Sequence, residues 1–313
     1  MSTGERGVEI SVVMPAMNER EVISDTISRV VEALEGEPFE VVVVDDGSSD
    51  GTWEEVERLS AEDGRVRGLK LTRNFGHQAA LHAGMKSARG KVVVTMDSDG
   101  EHPPELLPEL VKRWRGGAKI VQGIRDDSRT ALPKRATSRL FYRIFSWLAG
   151  TEMRPGSADF RLLDRGVVDV ILAHPNAGAF LRGFVPWTGF DTEFVEYAPG
   201  RRAAGRTKFS SPRMFGLARQ GILRFSVKPL RLSMLVGLLT CLGALGYLGY
   251  ILYMRIFHGD VTVAGWASVA GLLSLLGGVQ LMVIGILGEY VGIIFETLRG
   301  QPMYIVDRRS GEE

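Results

Sequence analysis

Hydrophobic residues in the first hundred positions follow two alternating spacings. Ile10-Ser-Val-Val-Met14 is a short β-forming run closed by Pro15, and Phe39–Val44, Val66–Leu71 and Lys91–Met96 are runs of the same kind. Between them, Val22, Ile23, Ile27, Val30, Val31 and Leu34 recur at helical spacing, and Trp53–Leu59 and Gln78–Ala88 read as further helices. Strands alternating with amphipathic helices predict βαβ units, hence an α/β domain on a mostly parallel sheet. Ligands on such sheets sit beyond the carboxyl ends of the strands.

Towards the carboxyl end the pattern changes character. Ser233–Phe257 is apolar apart from Arg255, and Trp266–Leu287 carries no charge and continues past Glu289 to Phe295. Each run exceeds the roughly 20 residues that cross a bilayer core. Both are apolar on every face, which marks them as membrane spans rather than core helices. Before them, Ser211–Phe225 gathers Met214, Phe215, Leu217, Ala218, Gly221, Ile222 and Phe225 on one arc and Arg213, Gln220 and Arg224 on the other. That division fits a helix lying on an anionic leaflet. The expected organisation is a soluble domain over 1–210, an interfacial segment over 211–231, a two-helix membrane domain over 232–298 and a tail over 299–313.

Charge then assigns the sides. Arg213, Arg219, Arg224, Lys228 and Arg231 precede the first span, Arg299, Arg308 and Arg309 follow the second, and the connector His258–Gly265 has no Lys or Arg. By the positive-inside rule both flanks are cytoplasmic. Residues 1–9 are polar and Ile10–Met14 is too short for a signal-peptide core, so both termini and the soluble domain are expected in the cytoplasm. Overall, 38 basic residues against 37 acidic ones leave a net charge of +1, with no electrostatic reason to expect a nucleic-acid partner. A lone cysteine, Cys241, excludes a disulfide framework and a cysteine-based metal site. His77, His82, His102, His174 and His258 show no metal-ligand spacing and are expected to be structural or surface residues. No Gly-x-Ser-x-Gly elbow or Gly-Lys-Ser/Thr loop is present.

Two acidic clusters fall at predicted strand ends. Asp45-Asp46-Gly47-Ser48-Ser49-Asp50-Gly51-Thr52 repels phosphate but offers acceptors for ribose hydroxyls or base N–H groups; its alternative is a turn with a helix cap at Ser49 or Asp50. Asp97-x-Asp99-x-Glu101 gathers three carboxylates, a costly arrangement unless a cation neutralises them. Oxygen-only ligands suit Mg²⁺ or Mn²⁺, with substrate phosphate and water completing the shell. A solvated acidic turn is the alternative. Gly100 stands too early for an EF-hand loop.

Taken in order, Pro15-Ala-Met-Asn18-Glu19, the Asp45–Thr52 loop, Asn74-Phe-Gly-His-Gln78 and Asp97-Ser-Asp99 resemble the inverting GT-A glycosyltransferases of family 2. Asp159-Phe-Arg161-Leu-Leu163 and Gly205-Arg206-Thr-Lys208-Phe-Ser210, followed by two spans, look like the polyprenyl-phosphate members of that family. These include dolichyl-phosphate mannose synthase and bacterial undecaprenyl-phosphate glucosyltransferases. The resemblance covers about residues 10–300. It implies a Rossmann-like GT-A catalytic domain on the cytoplasmic side of a bacterial plasma membrane, a nucleotide-sugar donor, a polyprenyl phosphate acceptor and a Mg²⁺ or Mn²⁺ cofactor.

Residue by residue, it implies that Pro15, Glu19 and Asp46 hold the nucleoside. Asp97 and Asp99, with Glu101, would meet the metal and diphosphate. Asp159 would stand at the acceptor site as base or orienting group, its alternative being a strand-end acid paired with Arg161. Arg125, Arg139, Arg206 and Lys208 would meet the phosphates. The sequence departs from the family at Met17, where an aromatic is usual, and at Glu101, where Gln is usual. UDP-glucose is the first expectation for the donor, with UDP-GlcNAc, UDP-galactose and GDP-mannose open. A processive polysaccharide synthase would carry Gln-x-x-Arg-Trp before its spans, which Gln220, Arg224 and Phe225 do not form; a silent scaffold would be expected to lose the acidic and basic site residues. Gly288 and Gly292 at GxxxG spacing, with Gly243, Gly246 and Gly249, predict a homo-oligomer, as a tetramer by the same resemblance, or else packing between the two spans.

Overall fold

The computed structural model describes residues 7–126, 154, 156–174, 180–198, 226–257 and 265–311. These form two compact units, residues up to 198 with 301–311, and 226–257 with 265–300.

In the first unit the predicted alternation is present: β1 (Ile10–Ala16), α1 (Arg20–Ala33), β2 (Phe39–Asp45), α2 (Thr52–Glu62), β3 (Val66–Leu71), α3 (His77–Ser87) and β4 (Val92–Thr95). Then come α4 (Leu107–Arg115), β5 (Ile120–Arg125), β6 (Ser157–Asp164), α5 (Arg165–Ala173), α6 (Leu181–Trp187) and β7 (Thr192–Tyr197). The described sheet has eight strands in the order β7-β5-β6-β4-β1-β2-β3-β8, where β8 is Val306–Ser310. β1 and β2 are buried along their whole length, as strands covered on both faces must be. Ile23, Ile27, Trp53 and Val56 cover one part of that core from α1 and α2. On α3, Gly84 lets the helix approach β1 so closely that a Cβ would collide with the Val13 side chain.

The mostly parallel expectation holds: β3-β2-β1-β4 and the β5-β7 pair are parallel, and the exceptions are β6 and β8. β6 runs antiparallel to both β4 and β5. This inversion puts the amino end of β6 beside the carboxyl end of β4, with Thr95 facing Arg161 and the Thr95 hydroxyl donating to the Asp159 carbonyl at 2.6 Å. Residues far apart in sequence thereby share the ligand edge of the sheet.

The tail expected over 299–313 is corrected by the structure. Val306–Ser310 pairs antiparallel with β3, Leu69 facing Arg309 and Lys70 facing Arg308, and extends the sheet at that edge. An edge strand needs only backbone donors and a few apolar contacts, so Val-Asp-Arg-Arg-Ser carries no strand-like alternation in its sequence. Its charged residues also blunt the outer edge against further pairing.

The second unit is a helical pair, α7 (Lys228–Phe257) and α8 (Trp266–Leu298). Lys228–Met254 and Gly271–Leu298 have mean hydropathies of 1.9 and 2.0 and are long and apolar enough to cross a membrane. Leu239, Leu242, Leu273 and Leu281 are exposed, a surface that water does not tolerate and lipid does. The Tyr290 hydroxyl donates to the Ser226 carbonyl at 2.7 Å and fastens the start of α7 to α8. The expected interfacial helix over 211–225 and most of the connector after Phe257 lie outside the described residues.

Candidate active site

The loops after β1, β2 and β3 are tied to one another by side chain to backbone hydrogen bonds. Asn18, in the left-handed region at φ 55°, accepts from the Ser49 amide at 2.9 Å and donates its own amide to the Ser48 hydroxyl at 2.9 Å. The Glu19 amide donates to the Thr52 hydroxyl and the Arg20 amide to Asp50. Pro15 lies within β1, and its carbonyl accepts from the Ser98 hydroxyl at 2.9 Å, linking the β1 and β4 ends. Asp46 accepts from the amides of Phe75 at 2.7 Å and Gly76 at 2.9 Å, so its carboxylate fixes the turn entering α3. Gly47, at φ 75°, passes so close to the Arg73–Asn74 backbone that a Cβ would sit 2.6 Å from the Arg73 carbonyl carbon.

Asp45, the first residue of the acidic loop, differs from Asp46 in having an unsatisfied oxygen. Its Oδ1 accepts from the Ser48 amide at 3.0 Å, while Oδ2 is buried and has no hydrogen-bond partner among the described residues. Burial pushes its pKa up, against the opposing pull of Ser48. A buried acceptor of this kind suits a ligand N–H or O–H.

Beyond β4, Asp97 and Asp99 divide. The Asp97 amide donates to His102 Nδ1 at 2.8 Å, and Asp97 Oδ1 lies 2.7 Å from His77 Nε2. Burial alone would raise the Asp97 pKa, but His102 and His77 outweigh it and hold the carboxyl below its ordinary range. Asp99 Oδ1 accepts from the Glu101 amide at 3.0 Å, and Glu101 lies 3.5 Å from the Arg125 guanidinium. Among the described residues, no three of His, Cys, Asp and Glu converge tightly enough to hold a metal by themselves. One or two carboxylates on a turn fit a hard cation that takes its remaining oxygens from substrate phosphate and water.

Asp159 is almost fully enclosed, with 2 % of its side chain exposed. Arg161 donates to Oδ1 at 2.8 Å; Arg182 at 2.9 Å and Gln78 at 3.2 Å donate to Oδ2. Burial opposes ionisation, yet Arg182, Arg161 and His77 together hold the carboxyl well below the usual carboxylate range. An acid so firmly ionised, with both oxygens engaged, is a poor proton acceptor and a good anchor. The strand-end pairing with Arg161 weighed from the sequence is therefore present, within a larger cluster.

The sheet inversion thus brings Asp97, Asp99 and Asp159 to one edge with His77, Gln78, Arg161 and Arg182. Arg139, Arg206 and Lys208 lie outside the described residues. Two histidines expected to be structural or surface residues belong to the cluster: His77 at the start of α3, and buried His102, stacked on Phe160 at 5.1 Å. Their only sequence signal was position, His77 after the Asn74-Phe-Gly turn and His102 after the acidic loop. Arg182 had none.

The family described as Glycosyl transferase family 2 matches residues 11–172, a span containing Asp46, Asp97, Asp99 and Asp159. The chain is 36 % identical over 311 residues to the uncharacterized glycosyltransferase YkcC of Bacillus subtilis (strain 168), covering 98 % of this chain and 96 % of that one. It is 35 % identical over 304 residues to the prophage bactoprenol glucosyl transferase homolog of Escherichia coli (strain K12), covering 96 % and 99 %. It is 36 % identical over 306 residues to the bactoprenol glucosyl transferase of Shigella phage SfX, covering 97 % and 100 %. Among solved structures, glucosyl-3-phosphoglycerate synthase from Mycobacterium tuberculosis aligns over 69 % of this chain and 76 % of its own, with TM-score 0.46 and 21 % identity. With the acidic residues of its sheet edge inside the family match and relatives aligned nearly end to end, the chain belongs to glycosyl transferase family 2 and is a glycosyltransferase.

Proposed function

We propose that this enzyme transfers a hexose, glucose from UDP-glucose in the first instance, with inversion to the phosphate of a polyprenyl phosphate at the cytoplasmic face of a membrane. The observation that carries the reading is the near end-to-end match, through both apolar helices, to relatives named bactoprenol glucosyl transferase. A phosphate acceptor is already an anion and a competent nucleophile, so the site needs little proton removal. The anchored, ionised Asp159 is consistent with that economy: its role is to hold Arg161 and Arg182 in place.

On the donor side, Pro15, Glu19 and Asp46 frame the nucleoside pocket, and the unpartnered Asp45 Oδ2 supports a ligand donor there. Asp99, with Asp97 and Glu101 on the same turn, is assigned to Mg²⁺ or Mn²⁺. A cation held there would supply positive charge against that growing on the departing nucleoside diphosphate. Arg125, Arg139, Arg206 and Lys208 are assigned to the phosphates of the two substrates. Both termini are assigned to the cytoplasm from the Lys/Arg asymmetry, and a homo-oligomer from the glycines of α7 and α8, as a tetramer by the family resemblance alone.

The test is transfer of labelled sugar to undecaprenyl phosphate in Mn²⁺, across UDP-glucose, UDP-GlcNAc, UDP-galactose and GDP-mannose. A lipid-linked product is expected with UDP-glucose; no lipid product from any donor would end the reading. Asp99→Asn should abolish transfer with little change in stability, and substantial activity at saturating Mn²⁺ would remove the metal assignment.

A further inference from the structure

The first two residues of α3 stand between the acids at the β4 end and at β6. His77 Nε2 meets Asp97 Oδ1 at 2.7 Å. On the other side of the ring, Nδ1 lies 3.3 Å from Gln78 Nε2 and 3.7 Å from Asp159 Oδ2. Gln78 Nε2 in turn donates to Asp159 Oδ2 at 3.2 Å. The orientation of the Gln78 amide is set by its oxygen, which accepts from the Leu181 amide at 3.0 Å, leaving the nitrogen to face His77 and Asp159. With Gln78 donating to Nδ1, the neutral imidazole carries its proton on Nε2, directed at Asp97. The result is a continuous chain, Asp97–His77–Gln78–Asp159, whose Leu181 contact also touches the helix that delivers Arg182.

This arrangement is costly to build for structure alone. The His77 side chain keeps 41 % of its surface exposed, so it is not there to fill a core. Its turn is in turn fixed by Asp46 through the Phe75 and Gly76 amides. We infer that His77, through Gln78, is a positioning residue that locks the donor-side Asp97 to the acceptor-side Asp159, so that the two substrates' subsites keep one relative placement. The inference rests on the proposed reading of which side each acid serves.

Side-chain geometry supplies the test. Gln at position 77 can place its amide nitrogen near the place of Nε2 and so keep the Asp97 bond; Asn reaches only the place of Nδ1. His77→Ala should lower transfer on the order of tenfold to a hundredfold, the usual cost of losing a partner that orients a ligand-binding group. His77→Gln, which keeps only the Asp97 end, should recover UDP affinity but little transfer, and His77→Asn, which keeps only the Gln78 end, should recover neither. Affinity for UDP in Mn²⁺, measured by calorimetry without acceptor, should weaken in His77→Ala and in Asp97→Asn, and weaken no further when the two are combined. Thermal melting of each variant reports folding separately. Full recovery of transfer by His77→Gln, which would make the Gln78 end idle, or additive losses of UDP affinity in the double variant, would overturn the bridge while leaving the transferase reading intact. Absence of lipid product from the wild-type protein, with non-additive UDP affinities, would overturn the acceptor reading and keep the coupling of His77 to Asp97.

Discussion

Asp46 and Asp159 are both buried carboxylates at the ligand edge of one sheet, and they are held in opposite ways. Asp46 accepts two backbone amides from the turn before α3, and burial still pushes its pKa up. Asp159 is the more enclosed, yet two guanidiniums hold it firmly ionised. Amide dipoles offset only part of a carboxylate's lost hydration, whereas full opposite charges at hydrogen-bond distance offset all of it. The first arrangement therefore organises backbone on the side assigned to the donor. The second stores a fixed ion cluster on the side assigned to the acceptor.

The largest effect expected from breaking this contrast is at Asp159. Asp159→Asn strands Arg161, only 3 % exposed, without its counter-charge, and should cost about 3–5 kcal/mol in denaturant unfolding of the full chain in detergent. A loss below about 1 kcal/mol would mean that the cluster relaxes into solvent. Asp46→Asn should cost less, about 1–3 kcal/mol, because the amide oxygen still accepts one of the two N–H groups.

Their pH dependences should then diverge. The depressed Asp159 contributes stability that is present above its ordinary pKa of 3.8 and is lost as pH falls below it, so the deficit of Asp159→Asn should shrink in acid. The raised Asp46 contributes stability that is full below 3.8 and lost as pH rises through its folded value, so the deficit of Asp46→Asn should grow in acid. Unfolding free energies of both variants and the parent, followed from neutral pH down to about 2 so that both windows are crossed, test the opposition directly. Parallel trends would remove it.

The smallest effect is expected at Glu101, which lies half-buried beside Arg125. Glu101→Gln restores the residue usual in the family and should lower transfer by less than about tenfold, roughly 1.4 kcal/mol of barrier. A greater loss would show that its pairing with Arg125 shapes the turn after β4.

Several features could be read locally because their causes are local. The runs at Ile10–Met14 and Phe39–Val44 are strands since stretches rich in β-branched residues suit a sheet buried on both faces. The two apolar helices follow from length and hydropathy alone. Asp97-x-Asp99 declared itself because clustered like charges are costly without a purpose. Asp159 and Arg161 were visible as a pair, being two residues apart on one strand face.

What the tertiary structure alone decided is which distant residues meet. Period reports whether a segment is a strand, not which neighbour it pairs with or in which direction. The antiparallel insertion of β6 between β4 and β5 was therefore illegible, and with it the approach of Asp159 to His77 and Gln78. Arg182 comes from a short helix more than twenty residues after Asp159, and nothing in its own neighbourhood marks it. Val306–Ser310 joins the sheet through backbone hydrogen bonds, which every sequence offers, so its five residues looked like a tail. In this chain the sequence determined the elements and the chemical types at the strand ends; long-range pairing, which depends on the whole sheet, determined which of those groups share a site.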